Sequence, residues 1–410
     1  MGASALPLRR RRGLVVAVVA AVAFVVAAAA GYLVTELTSQ AHVETGTGPA
    51  GPPGGALPAS GALVPVYDLA SDPVFPTLST GYAIERHTRA GATTEQLARS
   101  EDGGRSWHLV GPFPFSNGYS QVQFSSSATG YAFGPAGLAL TANGGRTWTE
   151  GPSFGGLLER LVPLGEDVWA TYAVCHGPAE PATPCGVRLA VSTDGGRHWS
   201  RAAAPSGLAE AYDGGDILAR VTLDEAYVVS YGVTGGGGLA LTTNDGASWT
   251  ALPDPCSAWQ RADLAAVGGG RLWLICGGRP VAGEDVSAKA VFVSRDGGRT
   301  FTPVAYTGFG PTTGPLAGRA PFGQLAYAGQ LSQLATISPG TAWIGVSGVG
   351  VLVTSDGGRV WTRAEGVVDT GSDSGVGVTF NDAYHGWAIE FGEGVWRTVD
   401  GVHWGLVDGR

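Results

Sequence analysis

The apolar residues of this chain fall into short runs separated by polar, glycine-rich turns, and the runs recur. Seven times an extended segment and a short polar turn precede a strand that opens on a small or aliphatic residue followed by an aromatic. These openings are Gly81-Tyr82, Gly130-Tyr131, Val168-Trp169, Ala226-Tyr227, Leu272-Trp273, Ala342-Trp343 and Gly386-Trp387. A further apolar strand then enters a polar turn. Short runs bounded by turn residues predict strands. One run is different. Gly13 to Val34 is uncharged over 22 residues and follows Arg9, Arg10, Arg11 and Arg12. As a helix it would span about 33 Å, enough for a bilayer core, with the arginines cytoplasmic. A cleaved signal peptide is the competing reading, with Ala28 to Ala30 as small residues near a cleavage point. The expected organisation is a basic tail over 1–12, a transmembrane signal-anchor over 13–34, a Gly/Pro-rich linker over 35–62 and a folded domain over 63–410.

The polar turns share one pattern, S/T-x-D/N-x-G-x-x-aromatic. They run from Ser100 to Trp107, Thr141 to Trp148, Ser192 to Trp199, Thr242 to Trp249, Ser294 to Phe301 and Thr354 to Trp361; a copy one residue shorter runs from Thr398 to Trp404. Successive aromatics lie 41 to 60 residues apart, a period that points to propeller blades. The pattern resembles the Asp-box, or BNR, repeat, and the resemblance covers roughly residues 70–408. It implies an all-β, seven-bladed propeller of four-stranded blades, similar to those of sialidases, sortilin-type ectodomains, xyloglucan-degrading enzymes and, most of all, the photosystem-II assembly-factor type. In such a turn Asp102, Asn143, Asp194, Asn244, Asp296, Asp356 and Asp400 cap backbone N–H groups, a structural role rather than a catalytic one. His108, His198 and His403 beside the aromatics read as blade-surface residues. The segment Leu63–Tyr67 is expected as an added strand beside the last blade.

The remaining signals concern function. The chain has 67 Gly in 410 residues, about twice the usual share, which fits a molecule of many tight turns and excludes a helical bundle. Beyond residue 40 there are 21 basic against 33 acidic side chains; that acidity argues against nucleic acid as a partner. The long connections, near 174–187, 202–216, 251–262, 277–289, 304–331 and 363–375, all belong to one face of a propeller. Function concentrates in variable loops on a rigid scaffold. Candidate ligand-binding residues there are Tyr212, Trp259, Arg261, Arg319 and Phe322, since aromatics and arginines are common anchors. Arg160, Arg220 and Asp263 join them from the channel-lining first strands, with Gln121 and Gln333. Four cysteines allow three pairings; the blade layout favours Cys175 with Cys185 and Cys256 with Cys276, in an exported domain. No C-x-x-C, G-x-S-x-G, H-E-x-x-H or P-loop occurs, so neither metal nor cofactor is expected. Carboxylates toward the C-terminus (Asp369, Asp373, Asp382, Glu390, Glu393) read as an exposed acidic rim. The resulting expectation is a monomeric, membrane-anchored, extracytoplasmic propeller that binds a protein or glycan through its long-loop face. The alternative is an exo-acting, sialidase-like glycoside hydrolase with a non-standard site.

Overall fold

A computed structural model describes residues 61–410 except 66–67, 90–91, 116–119, 178–182, 204, 206–207, 209, 212–214, 233–236, 281–286, 308–322, 326–330, 367–374, 391–392 and 408–410. The proposed anchor and linker, together with Tyr212, Arg319, Phe322, Asp369 and Asp373, lie outside the described residues. Among the described residues no helix is long and apolar enough to cross a membrane.

The described residues form seven sheets around one ring, antiparallel except where Gly323–Leu325 adds in parallel to the outer strand of blade 5, and each sheet is a blade. The seven aromatic openings all fall in second strands, for example Gly130–Gly134, Asp167–Cys175, Leu272–Pro280 and Gly386–Glu390. The aromatics are almost wholly buried, from 0% exposed at Tyr82 to 1% at Trp343, because each second strand lies mid-blade with a neighbouring blade on either face. The core is accordingly divided among the interfaces. Tyr82, Ile84 and Leu97 of blade 1 pack on Val122 and Phe124 of blade 2, and six further clusters join each blade to the next round the ring.

Three of the interfaces use one device. Phe75, Phe124 and Phe380 each lie flat on the second-strand aromatic of the preceding blade, at ring-centroid distances of 3.7, 3.6 and 3.7 Å, on Trp387, Tyr82 and Trp343 respectively. Six residues downstream of each Phe stands Gly81, Gly130 or Gly386, and a Cβ at any of them would overlap that Phe ring. The blades that lack the Phe carry Val168, Ala226, Leu272 or Ala342 at the same place.

Every one of the seven polar turns closes the same network. The leading Ser or Thr hydroxyl donates to the Asp or Asn carboxyl or amide oxygen at 2.8–3.1 Å. It also accepts a backbone N–H from a Gly at 2.8–3.1 Å. The same Asp or Asn oxygen accepts the amide just before the closing aromatic. Short side chains thus satisfy backbone donors that a tight turn leaves unpaired.

The ring closes without an exchanged strand. Blade 7 draws all four strands from the C-terminal region, Val376–Phe380 through Trp404–Leu406. Blade 1 takes its inner edge from the segment carrying Leu69 and Val74, which bridge Glu85 and Tyr82. Leu63 does not pair with the last blade as expected. It bridges His108 on the outer strand of blade 1, because the N–H of Val64 is taken by Trp107. Side chains make the seam instead: Val64, Phe75 and Trp107 pack with Trp387, Ile389 and Val395. Asn381 Nδ2 donates to Phe75 O at 2.9 Å and Trp387 Nε1 to Gly103 O at 3.0 Å.

Both expected cysteine pairs are disulfides, Cys175–Cys185 across the ends of two paired strands and Cys256–Cys276 within blade 5.

Candidate functional site at the long-loop end of the channel

Strand direction fixes which residues share an end of the channel. Within a blade the first strand runs from the inter-blade connection toward the first turn. The early residues of every first strand therefore lie on the same side as the long connections. Gln121, Arg160, Asp263, Gln333 and Gly377 pair with Phe133, Thr171, Ile275, Gly345 and Ile389. Each partner sits two residues beyond the aromatic of its second strand, so the five first-strand residues form one layer. Asp216 lies one position earlier in its strand, opposite Ser230. Asp72 joins from blade 1: a Cβ at Gly377 would overlap its Oδ1.

Much of this layer stitches blades together. Arg160 reaches across two interfaces; Nε donates to Asp216 O at 2.9 Å and Nη1 to Gln121 Oε1 at 3.5 Å. Asp263 accepts the N–H of Leu334 in the next blade at 2.7 Å and that of Leu264 at 2.8 Å. Gln333 accepts the N–H of Val378, one blade further on, at 2.8 Å. Innermost strands have no pairing partner on the axial side, and these side chains serve their backbone groups.

Two acceptors are left over. Asp216 is 1% exposed; its Oδ1 accepts from Thr171 Oγ1 at 2.6 Å, while Oδ2 is buried without a partner. The Asp72 carboxylate makes no hydrogen bond or ion pair among the described residues, and Asp72 keeps an exposed surface. Burial pushes the Asp72, Asp216 and Asp263 carboxyls up to about 6 against the pull of Arg160. Asp72 is thus open to solvent at its surface, while the protein around it desolvates the carboxylate. Burial works against the Arg160 charge, yet Tyr231, Asp216 and Asp263 outweigh it and raise its proton affinity.

The sequence-level candidates divide. Arg160 and Asp263 converge in this layer, and Arg261 stands exposed at its rim, at the start of the strand Arg261–Ala266. Arg220 does not converge. It lies at the opposite end of its strand, over the Trp169 ring at 4.5 Å, and donates to Asp167 O and Leu223 O. Trp259 packs on the core of blades 4 and 5 instead of standing free, because the Asp254–Trp259 turn folds it inward. Of the C-terminal acidic rim, Glu393 is exposed and Asp382 is partly exposed, where it caps the turn holding His385 on the other face; Glu390 is the exception, 2% exposed within a second strand. Asp72, Asp216 and Tyr231 were missed. Asp216 had a signal, a carboxylate among the apolar residues of Gly215–Arg220; Asp72, before a proline, reads as an ordinary turn residue. No group of three or more metal-ligating side chains is arranged to hold an ion among the described residues.

Two clefts lie on the surface of the described residues. One of about 330 Å³ lies at the outer edge of blades 4 and 5, lined by Thr243, Ser248 and Arg299, far from the channel layer. The other, about 250 Å³, lies at the long-loop end of blade 3. Gly155, Gly156 and Gly177 wall it, with Leu157 and Ala173 to Cys175. Its wall leads directly into the strand that carries Arg160.

No protein-family model and no curated protein matches the chain. Solved structures do. YCF48 bound to a D1 peptide is 17% identical with a TM-score of 0.54, over 83% of this chain and 95% of that one. An ancestral GH74 enzyme is 15% identical with a TM-score of 0.55, over 85% of this chain; this chain spans about half of that one, 48%. A PL25 ulvan lyase bound to a GlcA–Rha3S saccharide is 10% identical with a TM-score of 0.51, over 85% of this chain and 96% of that one. At these identities the likeness is one of fold, and it places the chain among the seven-bladed β-propellers.

Proposed function

We propose that the protein is a binding scaffold that holds an extended peptide segment across its long-loop face, membrane-anchored through residues 13–34 with the propeller outside. The observation that carries this is the coincidence, at the end of the channel where the first strands begin, of the glycine-walled groove and the polar layer. Glycine walls let another backbone approach closely, and a rigid ring presents such a groove at low entropic cost. A neighbour of the same fold, YCF48, is bound to a peptide, which supports a protein partner. The two disulfides support an oxidising compartment. The seven-turn pattern keeps its Asp-box reading here, as scaffold.

The hydrolase reading has one observation in its favour: Tyr231 sits in the fields of Arg160, Arg261, Asp263 and Glu159, a set of types that sialidase-like chemistry uses. Two facts weigh against it. Burial raises the Tyr231 phenol, the wrong direction for a nucleophile, and both Asp263 oxygens are occupied by backbone N–H groups.

The test is panning of a random peptide library on the immobilised full chain, beside a glycan array and a reducing-sugar assay. Selected peptides should lose binding at least tenfold to Leu157→Arg, which places a bulky positive charge in the groove wall, with an unchanged melting temperature. Glycan binding or cleavage without peptide capture would reverse the assignment.

A further inference from the structure

Charge at the channel mouth does not balance. Asp72, Asp216 and Asp263 face one guanidinium, Arg160, and the Asp72 and Asp263 carboxylates repel each other. Glu159 and Arg261, whose fields also reach this cluster, add one charge of each sign; Tyr231, Gln121, Gln333 and Gly377 add none. Asp263 is bound to backbone on both oxygens and Arg160 is committed to Asp216 and Gln121. Asp216 Oδ2 also lacks a partner but is enclosed beside Thr171, so the excess negative charge open to a ligand rests on the Asp72 carboxylate against Gly377, next to the Asp263 charge. A carboxylate that lacks a donor and is repelled by a neighbouring one is costly, and a cation that approaches it recovers that cost.

Building on the peptide-scaffold reading, we propose that the long-loop mouth receives a cationic side chain of the bound peptide, a lysine ammonium or an arginine guanidinium, beside Asp72 and within the field of Asp263. A neutral isostere in that place leaves both carboxylates as they are and gains nothing, so the site selects for charge. The group must enter from the long-loop side, since the layer occupies the early residues of the first strands. The raised carboxyls give the interaction a pH window: with values of about 6 they are ionised above about 7 and protonated below about 5, so affinity is full at the high end and is lost on acidification.

The experiment measures binding to the full chain at pH 7.5 and pH 5.5, first of L-argininamide alone, then of labelled octapeptides of Gly and Ser with a central Lys or norleucine. The lysine peptide should bind roughly tenfold to a hundredfold tighter than the norleucine peptide. That preference should disappear in Asp72→Asn and shrink at pH 5.5. Asp72 serves no neighbouring backbone group, so Asp72→Asn should melt at or above the wild-type temperature. Gly377→Ala, whose Cβ displaces the Asp72 carboxylate, should show the same loss of preference. Equal binding of the lysine and norleucine peptides, or an unaltered preference in Asp72→Asn, overturns the cation site while the peptide scaffold stands. Asp72-dependent binding of L-argininamide with no binding of either peptide keeps the cation site and overturns the peptide as its carrier. Absence of binding by all three probes overturns both.

Discussion

Six of the repeated turns hold two consecutive residues at positive φ and the last holds one; at the first of each pair a side chain collides with its own backbone. Gly103, Gly144, Gly195, Gly297 and Gly357 meet that demand in five turns at φ of 70–78°. The fourth turn holds Asp245 at φ 57°, the one non-glycine residue with positive φ among those described. Burial and the neighbouring Asp167 push its carboxyl up, so strain and charge act against the turn together. Asp245→Gly should stabilise the protein by up to about 1 kcal/mol, after the entropy of the added glycine is subtracted; thermal denaturation reads this directly. An unchanged or lower melting temperature would show that the side chain gives back more than its backbone costs. The turn network was legible in the sequence because every donor and acceptor lies within five residues, so local spacing determines who bonds to whom. At Asp296 the Thr300 hydroxyl and amide and then Ser294 hold the carboxyl at about 2. That contribution is complete above the unfolded value of about 4 and is lost as pH falls through the folded one.

Among the elements, second strands were readable because an aromatic on a small-residue opening recurs seven times. The reason for the small residue was not readable, since it lies in a different strand: glycine stands there where a Phe six positions earlier covers it. Gly130→Ala should therefore cost about 1–3 kcal/mol through overlap with Phe124. Adding Phe124→Leu should recover part of the loss, whereas the same replacement in the wild type, which removes a stacked aromatic, should destabilise. If the double mutant is no better than Gly130→Ala, steric conflict is not the cause. The disulfides give a parallel test. Cys256 and Cys276 lie 20 positions apart in sequence, so Cys256→Ser with Cys276→Ser should cost about 3 kcal/mol by chain entropy, measured as a lower midpoint in urea. The candidate site was less legible than either element. Arg160 and Asp263 were visible as polar residues in first strands, but their bonding to other blades needs the ring, and Asp72 belongs to an inner edge that only tertiary pairing defines.

At the scale of the molecule, the polar layer couples stability to pH in a direction opposite to the usual behaviour of carboxylates. The turn acids Asp194, Asp296 and Asp400 are held below their normal range by hydrogen bonds. Between pH 5 and pH 8 they are ionised in both folded and unfolded chains and contribute no slope. Asp72, Asp216 and Asp263 behave differently. Burial raises them to about 6 in the folded chain, against about 3.9 unfolded. From about pH 4 to pH 6 the folded state therefore binds more protons than the unfolded state, and stability falls as pH rises through that window. Above about 7 the full cost of three enclosed carboxylates is present and the curve flattens. The expected result is a higher melting temperature at pH 5.5 than at pH 7.5, and a weaker dependence in Asp216→Asn, which keeps an acceptor for Thr171 while removing the most enclosed charge. A cationic ligand at the mouth should raise the pH 7.5 melting temperature toward the pH 5.5 value and raise the latter less, since the carboxyls it would neutralise are by then largely protonated. A melting temperature that rises from pH 5.5 to pH 7.5 would mean that these carboxylates are stabilised as anions in the folded ring, and that the channel carries no unmet demand for positive charge.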